Sequence, residues 1–99
     1  MKILHDYIEE IEDELEGAKE YAEKYVACKS KGNTGPANMY KEMSHDELKH
    51  AMYMYDFALS NIDQINSIYK MPVKDFDMWE AMKRKYAEHV ALIRQMLSI

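Results

Sequence analysis

Met43-Ser44-His45-Asp46-Glu47-Leu48-Lys49-His50-Ala51 lies inside a segment that reads as one long helix. Residues three or four apart share a helix face. The row Tyr40, Met43, Glu47, His50, Met54, Phe57 keeps that spacing. Four of its six members are apolar or aromatic, so the row is expected to face the core. Glu47 and His50 stand in its middle. A carboxylate and an imidazole at core positions are unfavourable unless they are paired or bind a metal. Two such groups three residues apart on one helix can hold a metal inside a helical bundle.

Working outward, this second helix is expected from about Pro36 to Tyr69. Ser60, Asn61, Asp63, Asn66 and Ser67 are weaker helix formers and make its last part less secure. Met71-Pro72 ends it, because the residue before proline avoids helical geometry. Upstream, Ser30-Lys31-Gly32-Asn33-Thr34-Gly35-Pro36 reads as a short turn. Gly32 suits the position just past a helix end, Asn33 or Thr34 can cap the next helix, and Pro36 is tolerated in its first turn. So short a connection makes the flanking helices antiparallel neighbours.

The first helix is expected from about Lys2 to Lys31. Leu4, Ile8, Ile11, Leu15, Ala18, Ala22 and Val26 keep the helix period. A parallel row, Tyr7, Ile11, Glu14, Ala18, Tyr21, Tyr25, Cys28, is again interrupted by one carboxylate, Glu14. Glu9, Glu12, Asp13, Glu16, Glu20 and Glu23 belong mostly to the wet side, whereas Glu10 sits at the edge of the row. A third helix is expected from Lys74 or Asp75 to Leu97. Its core face is Phe76, Trp79, Met82, Tyr86, His89 or Val90, Ile93, and Met96 or Leu97. The fold class is therefore all-α: a long antiparallel hairpin plus a third helix, in one domain over 1–99.

Composition bounds the function. The 99 residues carry 18 Asp and Glu against 13 Lys and Arg, a formal charge of −5. That balance argues against nucleic acid, which selects basic surfaces. A single cysteine, Cys28, forms no intrachain disulfide and fits a reducing, cytoplasmic compartment. No apolar run approaches the ~20 residues of a membrane span, and no signal peptide is visible.

Counted from Gly32, Glu14 lies 18 residues back and Glu47 lies 15 forward. On antiparallel helices those positions fall at nearly one height, so Glu14, Glu47 and His50 can meet. Each of these residues could instead be a paired polar group merely tolerated in the core. Their matched height favours a metal that accepts carboxylate and imidazole together, such as iron, manganese or zinc. A second Glu-x-x-His, Glu42 to His45, is turned about 140° from the first and shares its face with Lys41 and Lys49, so it reads as solvent-facing. Tyr21, Tyr25 and Tyr53 are candidates to hydrogen-bond near a metal-bound carboxylate. His89 reads as a hydrogen-bonded core histidine or an extra ligand, Cys28 as a small core residue, and the nine methionines as core filler.

Asp46-Glu47-Leu48-Lys49-His50-Ala51 resembles the Glu-x-x-His-Ala segment of the ferritin-like superfamily, rubrerythrins and bacterioferritins in particular. Glu14 with Tyr21 seven residues on is similar to that family's first-helix glutamate and tyrosine. The 33-residue interval from Glu14 to Glu47, with a glycine turn between, is also family-like. The resemblance covers about residues 13–58. The family's bundle carries a second glutamate and a second Glu-x-x-His on another helix pair. Here Glu80 is followed by Lys83 and Glu88 by Ala91, so one chain supplies half a site.

The resemblance implies a homodimer, or a higher homo-oligomer, that completes a four-helix bundle, as in the half-length encapsulated ferritins. Two copies of Glu14, Glu47 and His50 would hold two ions, iron first, with manganese or zinc as alternatives. Iron oxidation, iron storage or peroxide handling would follow, a ferroxidase or peroxidase type of oxidoreductase. With one cysteine there is no rubredoxin-like cluster to relay electrons. The competing expectation is a non-catalytic structural or interaction protein with a vestigial or redox-inert site.

Overall fold

The computed structural model describes all residues, 1–99. It holds three α-helices and no strand: α1 Lys2–Ser30, α2 Thr34–Ile68 and α3 Val73–Leu97. No helix is long and apolar enough to cross a membrane.

The turns follow from local chemistry. Gly32 takes φ 75°, a left-handed conformation that glycine adopts without a steric penalty. This lets the Gly32 N–H donate to Lys29 O at 3.0 Å and the Asn33 N–H donate to Cys28 O at 2.9 Å. Those two bonds satisfy carbonyls at the end of α1 in a Schellman arrangement. Asn33 occupies the N-cap of α2, but its side chain makes no capping bond, contrary to the expected side-chain cap. The weak helix formers after Asn61 do not shorten α2, which continues to Ile68. There Tyr69 turns extended, and the Asn66 side chain accepts from the Met71 N–H at 3.2 Å. Pro72 then precedes the first residue of α3.

The hairpin of α1 and α2 is antiparallel. Tyr7 lies opposite Asn61, Ala18 opposite Ser44 and Tyr21 opposite Tyr40. At about 1.5 Å per residue the 35 residues of α2 span roughly 52 Å, which matches the 54 Å long axis of the molecule. α3 runs parallel to α1 and packs chiefly on it. The Met1 amine donates to Asp75 at 3.1 Å, Lys85 pairs with Glu12 at 2.8 Å, and the Tyr25 hydroxyl donates to Ile99 O at 3.3 Å. Across to α2, α3 is joined by aromatic rings. Tyr55 stacks on Tyr86 with centroids 3.7 Å apart and on Trp79 at 6.0 Å.

The core corrects the expected face of α2. The buried residues are Ala37, Ser44, Leu48, Ala51, Ala58 and Ile62. The row Tyr40, Met43, Glu47, His50, Met54, Phe57 lies about one residue, or roughly 100°, to the side. Phe57 is 60% exposed, and His50 is exposed too. The reason is steric. Ala18 and Ala22 of α1 are fully buried, and Ser44 Oγ of α2 donates to Ala18 O at 2.7 Å. Small side chains let the helices approach closely, so the bulky row is displaced to the flank. α1 follows its expected row, with Leu4, Ile11, Leu15, Ala18 and Ala22 buried and Ile8 and Val26 half-buried.

In α3, Trp79, Met82, Val90, Ile93 and Leu97 are buried as expected. Tyr86, His89 and Met96 are half-buried, and Phe76 is exposed. Asp75 takes the buried position at that end because it receives the Met1 amine. Cys28 is half-buried against the core.

Candidate metal centre

Glu14 projects from the middle of α1 and Glu47 and His50 from the facing part of α2. One ligand atom from each of these residues lies within 4.8 Å of the other two. His50 Nδ1 stands 3.7 Å from Glu14 Oε2. That is too long for a hydrogen bond. Two donors about 2.1 Å from one tetrahedral ion sit roughly 3.4 Å apart, so the pair is close to a shared-ion spacing. Glu14 and Glu47 are half-buried and His50 is open to solvent. The cluster is thus on the flank of the hairpin, outside the core of a single chain.

The electrostatics are those of two crowded carboxylates beside an imidazole. The Glu14 carboxylate within hydrogen-bonding reach of Glu47 pushes the Glu47 carboxyl above its ordinary range. Burial and the Glu14 charge push the same way, while His50 opposes them. Two carboxylates this close favour a proton, or a cation, between them. Oxygen and imidazole donors together suit iron, manganese or zinc.

Gly17, one turn beyond Glu14, belongs to the same neighbourhood. A β-carbon there would come 3.1 Å from Glu47 Oε2. Nothing in the spacing of apolar residues marks Gly17. The one available signal was a glycine in the interior of a long helix, where it is unfavourable.

The surround is aromatic and open. Tyr21 stacks on Tyr40 with centroids 6.2 Å apart, and Tyr7 meets Phe57 edge-on at 6.1 Å. Tyr7, Glu10, Tyr53, Met54 and Phe57 line a hollow of about 190 Å³. Glu10 is therefore on the site's side of α1. Tyr53 is 78% exposed.

Other candidates fall elsewhere. Tyr25 is buried, and its hydroxyl is engaged at the far end of α1 by Lys29 and Ile99. Glu42 and His45 are exposed as expected, and His45 lines a separate groove of about 680 Å³ with Lys49, Met52 and Arg94. His89 lies with Glu12, Glu16, Glu20 and Lys85 between α1 and α3, and its Nδ1 is buried without a partner. Glu12 and Glu16 are each two positions from Glu14, nearly opposite it on α1, so His89 is not a third-helix ligand to this cluster.

Comparison with family models, with curated proteins and with solved structures finds no match to this chain. Its chemistry is therefore read from its own residues.

Proposed function

We propose that this protein is a ferritin-like carboxylate metal protein whose two-ion site forms between two copies of the chain. The observation that carries the reading is the convergence of Glu14, Glu47 and His50 on an exposed flank of the hairpin. One chain offers three donors and leaves the other side of the cluster open. A second chain related by a two-fold axis would bring the same three, completing four carboxylates and two imidazoles. That is the ligand set of paired metals in four-helix bundles. The exposed Tyr53 and Phe57 and the half-buried Met54 beside the cluster supply apolar surface for such a contact.

When bound, two adjacent iron ions would supply two electrons to dioxygen or peroxide. Glu14 and Glu47 would hold the ions and neutralise their charge. His50 would add a nitrogen donor at the solvent-facing edge, and the rings of Tyr21 and Tyr40 would screen the end nearest the turn. Iron oxidation or peroxide handling is the activity these residues support best. Titration of chelator-stripped protein with cobalt(II), followed by absorbance and calorimetry, tests the reading. Saturation at one ion per chain, two per dimer, is expected. Failure to bind, or binding that survives loss of Glu47, rejects it.

A further inference from the structure

Gly17 occupies the interior of α1, where glycine is the least suitable residue after proline. The three atoms nearest to a β-carbon built there all belong to Glu47: Oε2 at 3.1 Å, Cδ at 3.6 Å and Cγ at 3.7 Å. Glu47 is anchored on α2. To bring its carboxylate to Glu14 it crosses the surface of α1 over Gly17. The oxygen contact is tighter than ordinary van der Waals packing, so a β-carbon at this position must displace the Glu47 carboxylate by a few tenths of an ångström.

We propose that Gly17 is a positioning residue for the Glu14–Glu47–His50 centre: its missing side chain opens the slot that fixes the Glu47 carboxylate against α1. The inference rests on the metal reading for its purpose, but the Gly17–Glu47 contact is independent of any ion. Alanine at position 17 favours the helix and disfavours the slot. The two effects have opposite signs and are separable.

The experiment has two arms, both at fixed protein concentration. In the first, metal-free wild type, Gly17→Ala, Glu47→Ala and the double variant are unfolded in denaturant. Gly17→Ala is expected to raise the midpoint more in the Glu47→Ala background, where no carboxylate fills the slot, than in wild type. Equal shifts in the two backgrounds overturn the contact. In the second, zinc(II) binding is measured by calorimetry. Gly17→Ala is expected to weaken binding about tenfold, the low end of what disturbing a ligand's support costs, with no loss of metal-free stability. Unchanged affinity overturns the positioning role, and so does a loss of stability in both backgrounds, which would mark a general packing fault. If the wild type binds no metal, the functional reading fails with the positioning role, while the first arm still decides whether Gly17 sets Glu47.

Discussion

His50 Nδ1 and Glu14 Oε2 face each other at 3.7 Å across the hairpin, from helices that run in opposite directions. Neither side chain completes a hydrogen bond with the other at that distance. The helix positions, not a hydrogen bond between the two side chains, set that spacing.

Removing a ligand should therefore act on binding and spare the fold. Glu47→Ala and Glu14→Ala are expected to lower zinc or cobalt affinity by at least about tenfold, since even groups that only support a ligand are worth 10–100-fold. His45→Ala and Glu42→Ala, on the exposed face, are expected to leave it nearly intact. Calorimetric titration of the four variants checks this. Loss of metal from the Glu42 and His45 variants alone would place the site on the other Glu-x-x-His.

Acidity should set metal-free stability and metal affinity against each other. Glu47 holds its proton more firmly in the folded chain than its ordinary value of 4.5 implies, chiefly because of Glu14. Its contribution to metal-free stability is thus present at low pH and declines as pH rises from that ordinary value through the folded one. A metal needs the deprotonated carboxylate and a neutral imidazole, so its affinity rises over the same interval and beyond. Thermal unfolding with and without zinc, between pH 5 and 7, is expected to show a growing metal-dependent shift. A shift that is constant with pH would contradict the assignment of Glu47.

Two copies should associate through the flank that carries the site. Phe57 is 60% exposed beside Tyr7 and Tyr53. Sedimentation at micromolar concentration with metal present is expected to give roughly twice the 11.7 kDa chain mass. Phe57→Glu would place a charge in the contact and is expected to yield monomer and to weaken metal binding with it. A wild-type monomer under these conditions would refute the shared site.

Anaerobic protein loaded with ferrous iron is expected to oxidise it faster than Glu14→Ala does on mixing with oxygen or peroxide. Stopped-flow absorbance reads the difference. Equal rates for both proteins and for free iron would favour an inert or structural role for the cluster.

Much of the architecture was legible in residue spacing. Gly32 and Pro72 punctuate the chain where the structure turns, and the heights of Glu14 and Glu47 follow from counting residues to Gly32. The face of α2 was not legible, because large apolar residues were weighted above small ones. Ser44, Ala51 and Ala58 occupy the buried face, with Ser44 bonded to Ala18 O, and hydrophobic size does not mark such small residues. Phe76 was misplaced for a related reason: the Met1–Asp75 pair pulls a charged residue inward at the start of α3. Gly17 was marked only by its helix-interior position, because its proposed role is the space it leaves for a residue 30 positions away.

The Ser44–Ala18 contact has a consequence for ion choice. Glu14 and Glu47 sit on backbones brought together by small side chains and one 2.7 Å hydrogen bond. With an ion held as proposed, the spacing of the hairpin would act as a caliper for its radius, set one turn away from the donors themselves. Ser44→Val would force the jaws apart at a cost of about 1–3 kcal/mol in stability. The widened gap is expected to favour manganese(II), the larger ion, over zinc(II), and competition titrations of the two metals would read the change as a selectivity shift with every ligand still in place.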